Sequence, residues 1–182
     1  MKATNRLAFK EWSIVVRFLY EGSGIITFLK EYIPADREFF LFPTYEGQRE
    51  DALKPRAGMT YRHELRALMA GHVYIRAYAE VIDSFEIDSI TAMKAIAREH
   101  AFTKPEMARR FEAAPHGLVA IALRVYRLPR PRYISEREKF EGGDRFLSLP
   151  VEIATEGVVP ALSDEDFERR LDAVRRALSP SR

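Results

Sequence analysis

The stretch REFFLFPTYEGQ, residues 37–48, decides the fold class of this chain. A charged pair leads into four apolar residues, and this run predicts a buried strand over Glu38–Phe42. Pro43 is expected to stop the strand, and the polar residues after it offer groups that can bind a ligand. Before this stretch, Gly24–Lys30 predicts a second strand, so the chain contains sheet from its first third.

The segment Val73–Ile82 alternates between apolar and polar residues. This period of two is typical of a strand with one buried face. The side chains expected on its polar face are Tyr74, Arg76, Tyr78 and Glu80.

Two later segments extend the predicted sheet. Leu118–Leu128 is apolar on both faces for most of its length, which favours a central strand. Pro129 and Pro131 are expected to end this strand because proline cannot donate to the ladder. Phe146–Leu149 predicts a short closing strand.

Apolar residues at helical spacing predict helices over 5–21, 60–70, 88–99, 103–113 and 163–178. The last of these is amphipathic, and we expect it to pack on the domain through one apolar stripe. Strands and helices mix without strict alternation. The chain is therefore predicted to be α+β, with a mixed or mostly antiparallel sheet and several flanking helices.

Length and composition limit the classes of function. With 182 residues, the chain is expected to form a single domain over 1–182. It contains no cysteine, which excludes disulfides, thiolate catalysis and cysteine-ligated metal sites. The lack of disulfides and of a signal peptide favours the cytoplasm, and no apolar run is long enough to predict a membrane span. A net charge of only +2 provides no global field that attracts nucleic acid.

The familiar catalytic motifs are missing from the sequence. It has no Gly-x-Ser-x-Gly, no P-loop and no pair of histidines at metal-ligand spacing, so we expect neither a cofactor nor a bound metal. The acid-x-Lys triplet of the common nuclease core is also missing. One enzyme alternative stays open, a metal-dependent phosphodiesterase in which Glu46, Glu80 and Asp83 hold Mg²⁺. A solvated loop that leads to a helix cap at Asp88 is the favoured explanation of the last two acids.

Aromatic and basic side chains follow two of the predicted strands. One strand carries Tyr74 and Arg76, and residues 115–132 contain four arginines and no acid. Tyrosine and arginine supply the stacking planes and phosphate contacts that single-stranded nucleic acid needs. Ordinary sheet roles, with an arginine paired to an acid such as Glu80, explain the same pattern.

The chain resembles the bacterial and archaeal family of domain of unknown function 1802. The residues that carry the resemblance lie in Phe9–Trp12, in Phe39–Gln48 and in Leu123–Pro129 with the later Pro131. The chain departs from the family pattern at Gly47, where a histidine is expected. It departs again at residues 100–103, where a tryptophan is expected after the histidine, and at residues 140–146, where a Tyr-x-Gly-Cys-x-Ser-Trp-like block is expected. If these positions form a site in the family, this member has altered it.

The last of these blocks and the strand before it also resemble small barrels of the PUA-like, ASCH or EVE type. That resemblance implies a barrel that binds RNA or modified bases. The ASCH-type Gly-x-Lys-x-x-Glu-x-Arg motif is absent from the sequence.

The leading hypothesis from the sequence is a non-catalytic module that binds single-stranded nucleic acid or a nucleotide-like ligand. The arginines would contact phosphate, the tyrosines would stack, and the glutamine would bond a base edge, with Lys10 and Glu11 lining the same cleft. A third hypothesis is a protein-interaction module that works through the 163–178 helix. The oligomeric state stays open. The candidate ligand-binding residues are Lys10, Glu11, Tyr45, Gln48, Arg124, Tyr126 and Arg127.

Overall fold

The computed structural model describes residues 2–30, 37–54, 72–114, 117–135, 141–143 and 145–179. The strands in these ranges are β1 (Thr4–Trp12), β2 (Ile26–Leu29), β3 (Glu38–Thr44), β4 (His72–Ile87), β5 (Leu118–Ser135), β6 (Glu141–Gly142), β7 (Phe146–Ala154) and β8 (Val159–Pro160). The α-helices are α1 (Ser13–Tyr20), α2 (Ile90–Ala95), α3 (Lys104–Glu112) and α4 (Asp164–Leu178). None of these helices is long and apolar enough to cross a membrane. The helix predicted over 60–70 lies outside the described residues.

The strands form one sheet in the order β2-β5-β4-β3-β1-β7-β6, and β8 pairs with β5 beside this path. Strands β1 and β3 are parallel. The other strand pairs in the described ranges are antiparallel. The sheet is therefore mixed and mostly antiparallel, which confirms the predicted α+β class.

The helix predicted over 5–21 is wrong in its first half, because Thr4–Trp12 forms β1 and α1 begins at Ser13. Strand β1 lies between β3 and β7. Its neighbouring residues Ala8 and Phe9 are both fully buried, and they belong to apolar clusters on opposite faces of the sheet. A strand buried on both faces loses the period of two, so its apolar residues match helical spacing by chance.

Proline does not end either strand where it was expected to. Pro43 lies inside β3, and β5 runs through Pro129 and Pro131 to Ser135. The ladder between β4 and β5 is irregular at these two prolines. Their missing N–H groups are therefore not needed for pairing, and the strand can continue.

The core lies on both faces of the sheet. A first cluster contains Phe9, Phe39 and Val81 and also the buried face of α4, formed by Phe167, Leu171 and Val174. A second, smaller cluster contains Ile75 and Tyr78. Tyr78 was expected on the polar face of its strand, but it is fully buried. The prediction fails because a register shift between Ile75 and Ala77 turns the following residues of β4 over.

Candidate functional site

A group of polar side chains lies where β1 ends and α1 begins. Two of its members, Glu11 and Ser13, belong to this turn of the chain, and the others come from three distant segments. Such a convergence is built only by the tertiary fold. We call this group the junction cluster, and its members are Glu11, Ser13, Thr27, Gln48 and Arg145.

Glu11 is the centre of the junction cluster and has no exposed surface. Its Oε1 accepts a hydrogen bond from Trp12 N at 2.8 Å. Its Oε2 accepts from Thr27 Oγ1 at 2.6 Å and from Arg145 Nη2 at 3.3 Å. An ionised carboxylate is costly to bury unless it is paired and hydrogen-bonded. Here three hydrogen-bond donors, from separate segments of the chain, offset the cost of burying the carboxylate.

Gln48 caps the first turn of α1 from a distant loop. Its Oε1 accepts from Ile14 N at 3.0 Å and from Ser13 Oγ at 3.2 Å. Since a backbone N–H can only donate, Ile14 fixes which end of the amide carries the oxygen. The other end, Nε2, is buried and has no hydrogen-bond partner among the residues that the structure describes. A buried donor of this kind costs about 1–3 kcal/mol and marks a place where a ligand or a water can complete the bonding.

The loop that carries Gln48 is a tight turn. Gln48 N donates to Tyr45 O at 3.1 Å, and Gly47 has a φ of +66°. Glycine adopts this left-handed conformation without steric cost, which suits Gly47 to this position of the turn. Tyr45 stays partly exposed at the start of the turn. The turn therefore holds an accessible aromatic ring and a buried amide three residues apart.

Arg145 connects the junction cluster to the surface. Its side chain is 41% exposed. Its Nη2 donates to Phe28 O at 3.1 Å as well as to Glu11, and its guanidinium lies 4.8 Å from the centre of the Phe9 ring. The guanidinium thus spans from the buried carboxylate to the solvent, where it can meet an anion. Sequence reasoning missed Arg145, although it belongs to the 140–146 block in which the chain departs from the family.

A second group of charges adjoins the junction cluster, and we call it the arginine cluster. It consists of Arg49, Glu106, Arg109 and Arg110. Glu106 has a buried side chain, and all three guanidiniums bond it at 2.8–3.0 Å. Burial acts to raise the pKa of Glu106, but the hydrogen bonds from Arg109 and Arg110 outweigh it and hold that pKa below its usual value.

The arginine cluster carries excess positive charge at the surface. Three guanidiniums face one carboxylate, and the exposed Asp51 lies 3.6 Å from Arg49. Arg49 and Arg109 are about half exposed, at 49% and 54%. Arg110 instead stacks over Trp12 at 4.7 Å from the ring centre, which links this cluster to the end of β1. Half-exposed arginines with unused donors are suited to phosphate.

Lys10 and Glu11 lie on opposite faces of the sheet. Lys10 is in register with Phe42, whose side chain belongs to the second apolar cluster. Successive side chains of a regular strand point to opposite faces, so Glu11 points away from this cluster. This opposite orientation speaks against one shared cleft, and the prediction that Lys10 and Glu11 line the same cleft stays a prediction.

The three predicted residues on β5 lie apart from the junction cluster. Arg127 donates from Nε to Tyr20 O, at the end of α1, at 3.0 Å. The junction cluster lies at the start of this eight-residue helix, about 12 Å away along its axis. Arg124 is only 6% exposed and donates to Ser163 O at 3.2 Å and to the Asp164 carboxylate. Burial and the nearby Glu80 raise the pKa of Tyr126, which is partly exposed.

The acids of the phosphodiesterase alternative do not converge. Asp83 is bonded to Arg175 at 2.9 Å, and Glu80 lies in the middle of β4 in register with Arg124 and Glu38. Glu46 lies in the turn after β3. Within the ranges that the structure describes, no three acidic or histidine side chains come close enough to hold a metal ion together.

The α+β fold of this chain is similar to that of solved ASCH proteins. A mutant form of an ASCH protein from Zymomonas mobilis has a similar structure, with a TM-score of 0.52 and 13% identity over 82% of this chain and 91% of that chain. A second structure of the Zymomonas mobilis ASCH protein has a TM-score of 0.51 and 13% identity over 92% of this chain and 93% of that chain. At this identity the likeness concerns the fold alone.

The chain belongs to the family described as "Domain of unknown function (DUF1802)", whose model matches residues 8–173. This match confirms the resemblance that the sequence motifs indicated. The match includes the whole junction cluster and the whole arginine cluster. No curated protein matches the chain.

Proposed function

We propose that this protein is a non-catalytic module that binds RNA or a nucleotide-like ligand at the junction cluster. The observation that carries the proposal is that Gln48 Nε2, within the described part of the chain, is buried without a partner. Gln48 caps the turn that directly follows the buried Glu11. Polar side chains in a fold interior are normally satisfied, and exceptions concentrate at sites that a ligand completes. A base carbonyl or a similar acceptor would complete the bonding of Gln48.

The groups around the junction cluster fit the other parts of a nucleotide. Arg145, Arg49 and Arg109 have exposed guanidinium surface for phosphate. Tyr45 provides a partly exposed ring on which a base can stack. The likeness to ASCH domains supports the same class of ligand, because the barrels that they represent are associated with RNA and modified bases.

Binding by Arg124, Tyr126 and Arg127 stays a prediction. Both guanidiniums already hold backbone carbonyls of the chain, so a phosphate would have to compete with these bonds. The interaction module based on the 163–178 helix also stays a prediction. Three arginines of that helix pair with acids, namely Arg169 with Asp166, Arg170 with Glu99 and Arg175 with Asp83.

The proposal is tested by fluorescence anisotropy with labelled single-stranded RNA, single-stranded DNA and duplex DNA. Titrations are made at low and physiological salt, with and without Mg²⁺. We expect saturable, salt-sensitive binding of RNA without cleavage. Cleavage that requires Mg²⁺ would favour the phosphodiesterase instead, and lack of binding to any probe would overturn the proposal.

Two variants then locate the site. Gln48→Glu keeps an oxygen that accepts from Ile14 N but removes the unpartnered donor, and we expect an affinity about 3- to 10-fold lower. Arg145→Ala removes the partly exposed positive charge of the junction cluster. It should lower the affinity for RNA and also make that affinity less dependent on salt. Arg176→Ala, an exposed change on α4, is the control and should bind as the wild type does. Wild-type affinity in both site variants would remove the junction cluster from the proposal.

A further inference from the structure

The pair of strands β4 and β5 changes its course beyond Ala77. Ala77 is in register with Arg127, whereas Ile75 is in register with Arg132. Between these two pairs, β4 therefore advances by two residues and β5 by five. A mismatch of this size bends a strand pair and re-aims its side chains. After the bend, residues 72–75 and 132–135 pair again as a two-stranded ribbon, which we call the arm.

The arm is anchored on one face and open on the other. Val73 and Ile134 are register partners, only 5% and 2% exposed, and both belong to the second apolar cluster. The next pair, Tyr74 with Tyr133, must point to the opposite face because side chains alternate along a strand. Tyr133 is 63% exposed. The arm therefore presents a tyrosine pair to solvent on a fixed backbone.

The two tyrosine rings support one another. Their centres are 4.1 Å apart with an angle of 59° between the ring planes. Contact with Tyr74 limits the orientations that Tyr133 can adopt in the free protein. A preorganised aromatic surface loses little entropy when a base stacks on it.

The described strand residues on either side of the tyrosine pair are basic, although Glu136 and Glu138 follow β5 in the sequence. Residues 72–79 and 125–135 together contain four arginines and no aspartate or glutamate. Two of them, Arg130 and Arg132, are exposed and lie within three residues of Tyr133. An exposed ring next to exposed arginines is the combination of side chains that single-stranded nucleic acid binds.

We propose that the arm is a second contact surface for single-stranded nucleic acid. Tyr133 stacks on an unpaired base. The long, exposed side chains of Arg130 and Arg132 contact neighbouring phosphates of the same strand, Arg132 from the opposite face of the arm, where it is in register with Ile75. The inference rests on the proposed function for the class of ligand, but it concerns a separate surface, at the end of the β4–β5 pair formed by residues 72–75 and 132–135. Single strands fit better than a duplex, because only unpaired bases can stack on an exposed ring.

The test uses anisotropy with a labelled unstructured oligouridine, the matching oligodeoxythymidine and a duplex of mixed sequence. We expect Tyr133→Ala to weaken oligouridine binding about 5- to 100-fold with an unchanged salt slope. Tyr133→Phe keeps a ring that can stack and should restore most of the affinity. Arg130→Ala with Arg132→Ala should lower the salt slope by about 1.4, which corresponds to two phosphate contacts on a single strand. Arg176→Ala on α4 is the control for a lost surface charge.

The outcomes separate the arm from the junction cluster. Weaker binding in the arm variants with wild-type thermal midpoints supports the arm, whatever the Gln48 and Arg145 variants do. Wild-type affinity in the Tyr133→Ala and double-arginine variants overturns it, even when the junction variants bind poorly. Preference for the duplex also overturns it. Equal binding of the two single-stranded probes supports stacking without recognition of the 2′-hydroxyl.

Discussion

At the scale of single residues, Glu11 shows how a charge can be kept in the interior. It has no exposed surface, and its partner Arg145 is less than half exposed. The pair joins β1 to the segment before β7, and Thr27 adds the edge strand β2 through the same carboxylate. One side chain thus connects three parts of the sheet that are distant in sequence.

We expect Glu11→Gln to lower the free energy of unfolding by about 1–3 kcal/mol, because the amide cannot accept all three hydrogen bonds and removes the charge that Arg145 faces. Arg145→Met keeps the packing over Phe9 and removes only the charge. Urea unfolding of the wild type, both single variants and the double variant measures the coupling. Strict additivity of the two changes would show that the pair does not interact.

His100 is a buried group that couples the stability of the fold to acid. It is 2% exposed, its Nδ1 accepts from Phe102 N at 3.2 Å, and its ring meets that of Phe28 edge-on. Burial lowers its pKa from 6.5 to about 3, and the positive charge of Lys54 acts in the same direction. Between these two pKa values the unfolded chain binds a proton that the folded chain does not. Stability must therefore fall as the pH falls from 6.5 towards 3.

We expect His100→Asn to reduce this sensitivity to acid. Asparagine can accept from Phe102 N as the imidazole does, but it does not titrate. The loss of unfolding free energy between pH 7 and pH 4.5 should be smaller in the variant than in the wild type by more than about 1 kcal/mol. Urea titrations of both proteins at several pH values measure the free energy of unfolding and its change with pH. Parallel curves for the two proteins would contradict the assignment to His100.

At the scale of elements, two arginines of β5 hold the segment that leads into α4. Arg124 bonds Ser163 O and Asp164, and its guanidinium lies 4.8 Å from the ring centre of Phe167. Arg127 bonds Ala161 O at 3.2 Å and also the end of α1. These contacts fix the start of α4 beside the sheet. The helix itself is capped by Ser163 Oγ, which accepts from Asp166 N at 3.1 Å.

We therefore expect Arg124→Ala with Arg127→Ala to cost about 2 kcal/mol of stability, because three partly buried hydrogen bonds to backbone carbonyls lose their charged donors. The unfolding of the double variant is compared with that of Arg176→Ala, an exposed change on α4 that should stay within about 0.5 kcal/mol of the wild type. Weaker RNA binding and a flatter salt dependence at wild-type stability would instead support the role of these arginines as phosphate ligands.

At the scale of the whole molecule, one sheet separates two apolar clusters. Strand β1 contributes Phe9 to the first cluster and Ala8 to the second, and β4 contributes residues to both. Loss of either strand would open both clusters together. We therefore expect the chain to unfold as one domain, in keeping with the unit proposed over 1–182.

Trp12, the single tryptophan, tests this expectation. It is 8% exposed at the end of β1, and its emission should report the junction cluster during unfolding. We expect urea transitions followed by tryptophan fluorescence and by far-UV circular dichroism to share one midpoint and one slope. A fluorescence transition at lower urea would show that the junction melts before the sheet.

The sequence by itself determined the α+β class, the strands of residues 38–42 and 73–82, and the family. These follow from local signals, since a run of apolar residues or a period of two is visible along the chain. It also singled out Glu11 and Gln48 through their motifs. The prediction from the sequence failed for residues 5–12, because burial on both faces of β1 removes the period of two. It also failed at Pro129 and Pro131, because the irregular strand pairing there tolerates proline.

Only the tertiary structure decided which polar groups share a site. Arg145 meets Glu11 across 134 residues of sequence, and Gln48 meets Ile14 across 34. No local pattern encodes such distances, because they depend on strand order and on register shifts. The register shift between β4 and β5 also places Tyr78 in the core. It pairs Tyr74 with Tyr133 at the surface. Composition and spacing predict which elements form, whereas pairing of the strands decides which side chains meet.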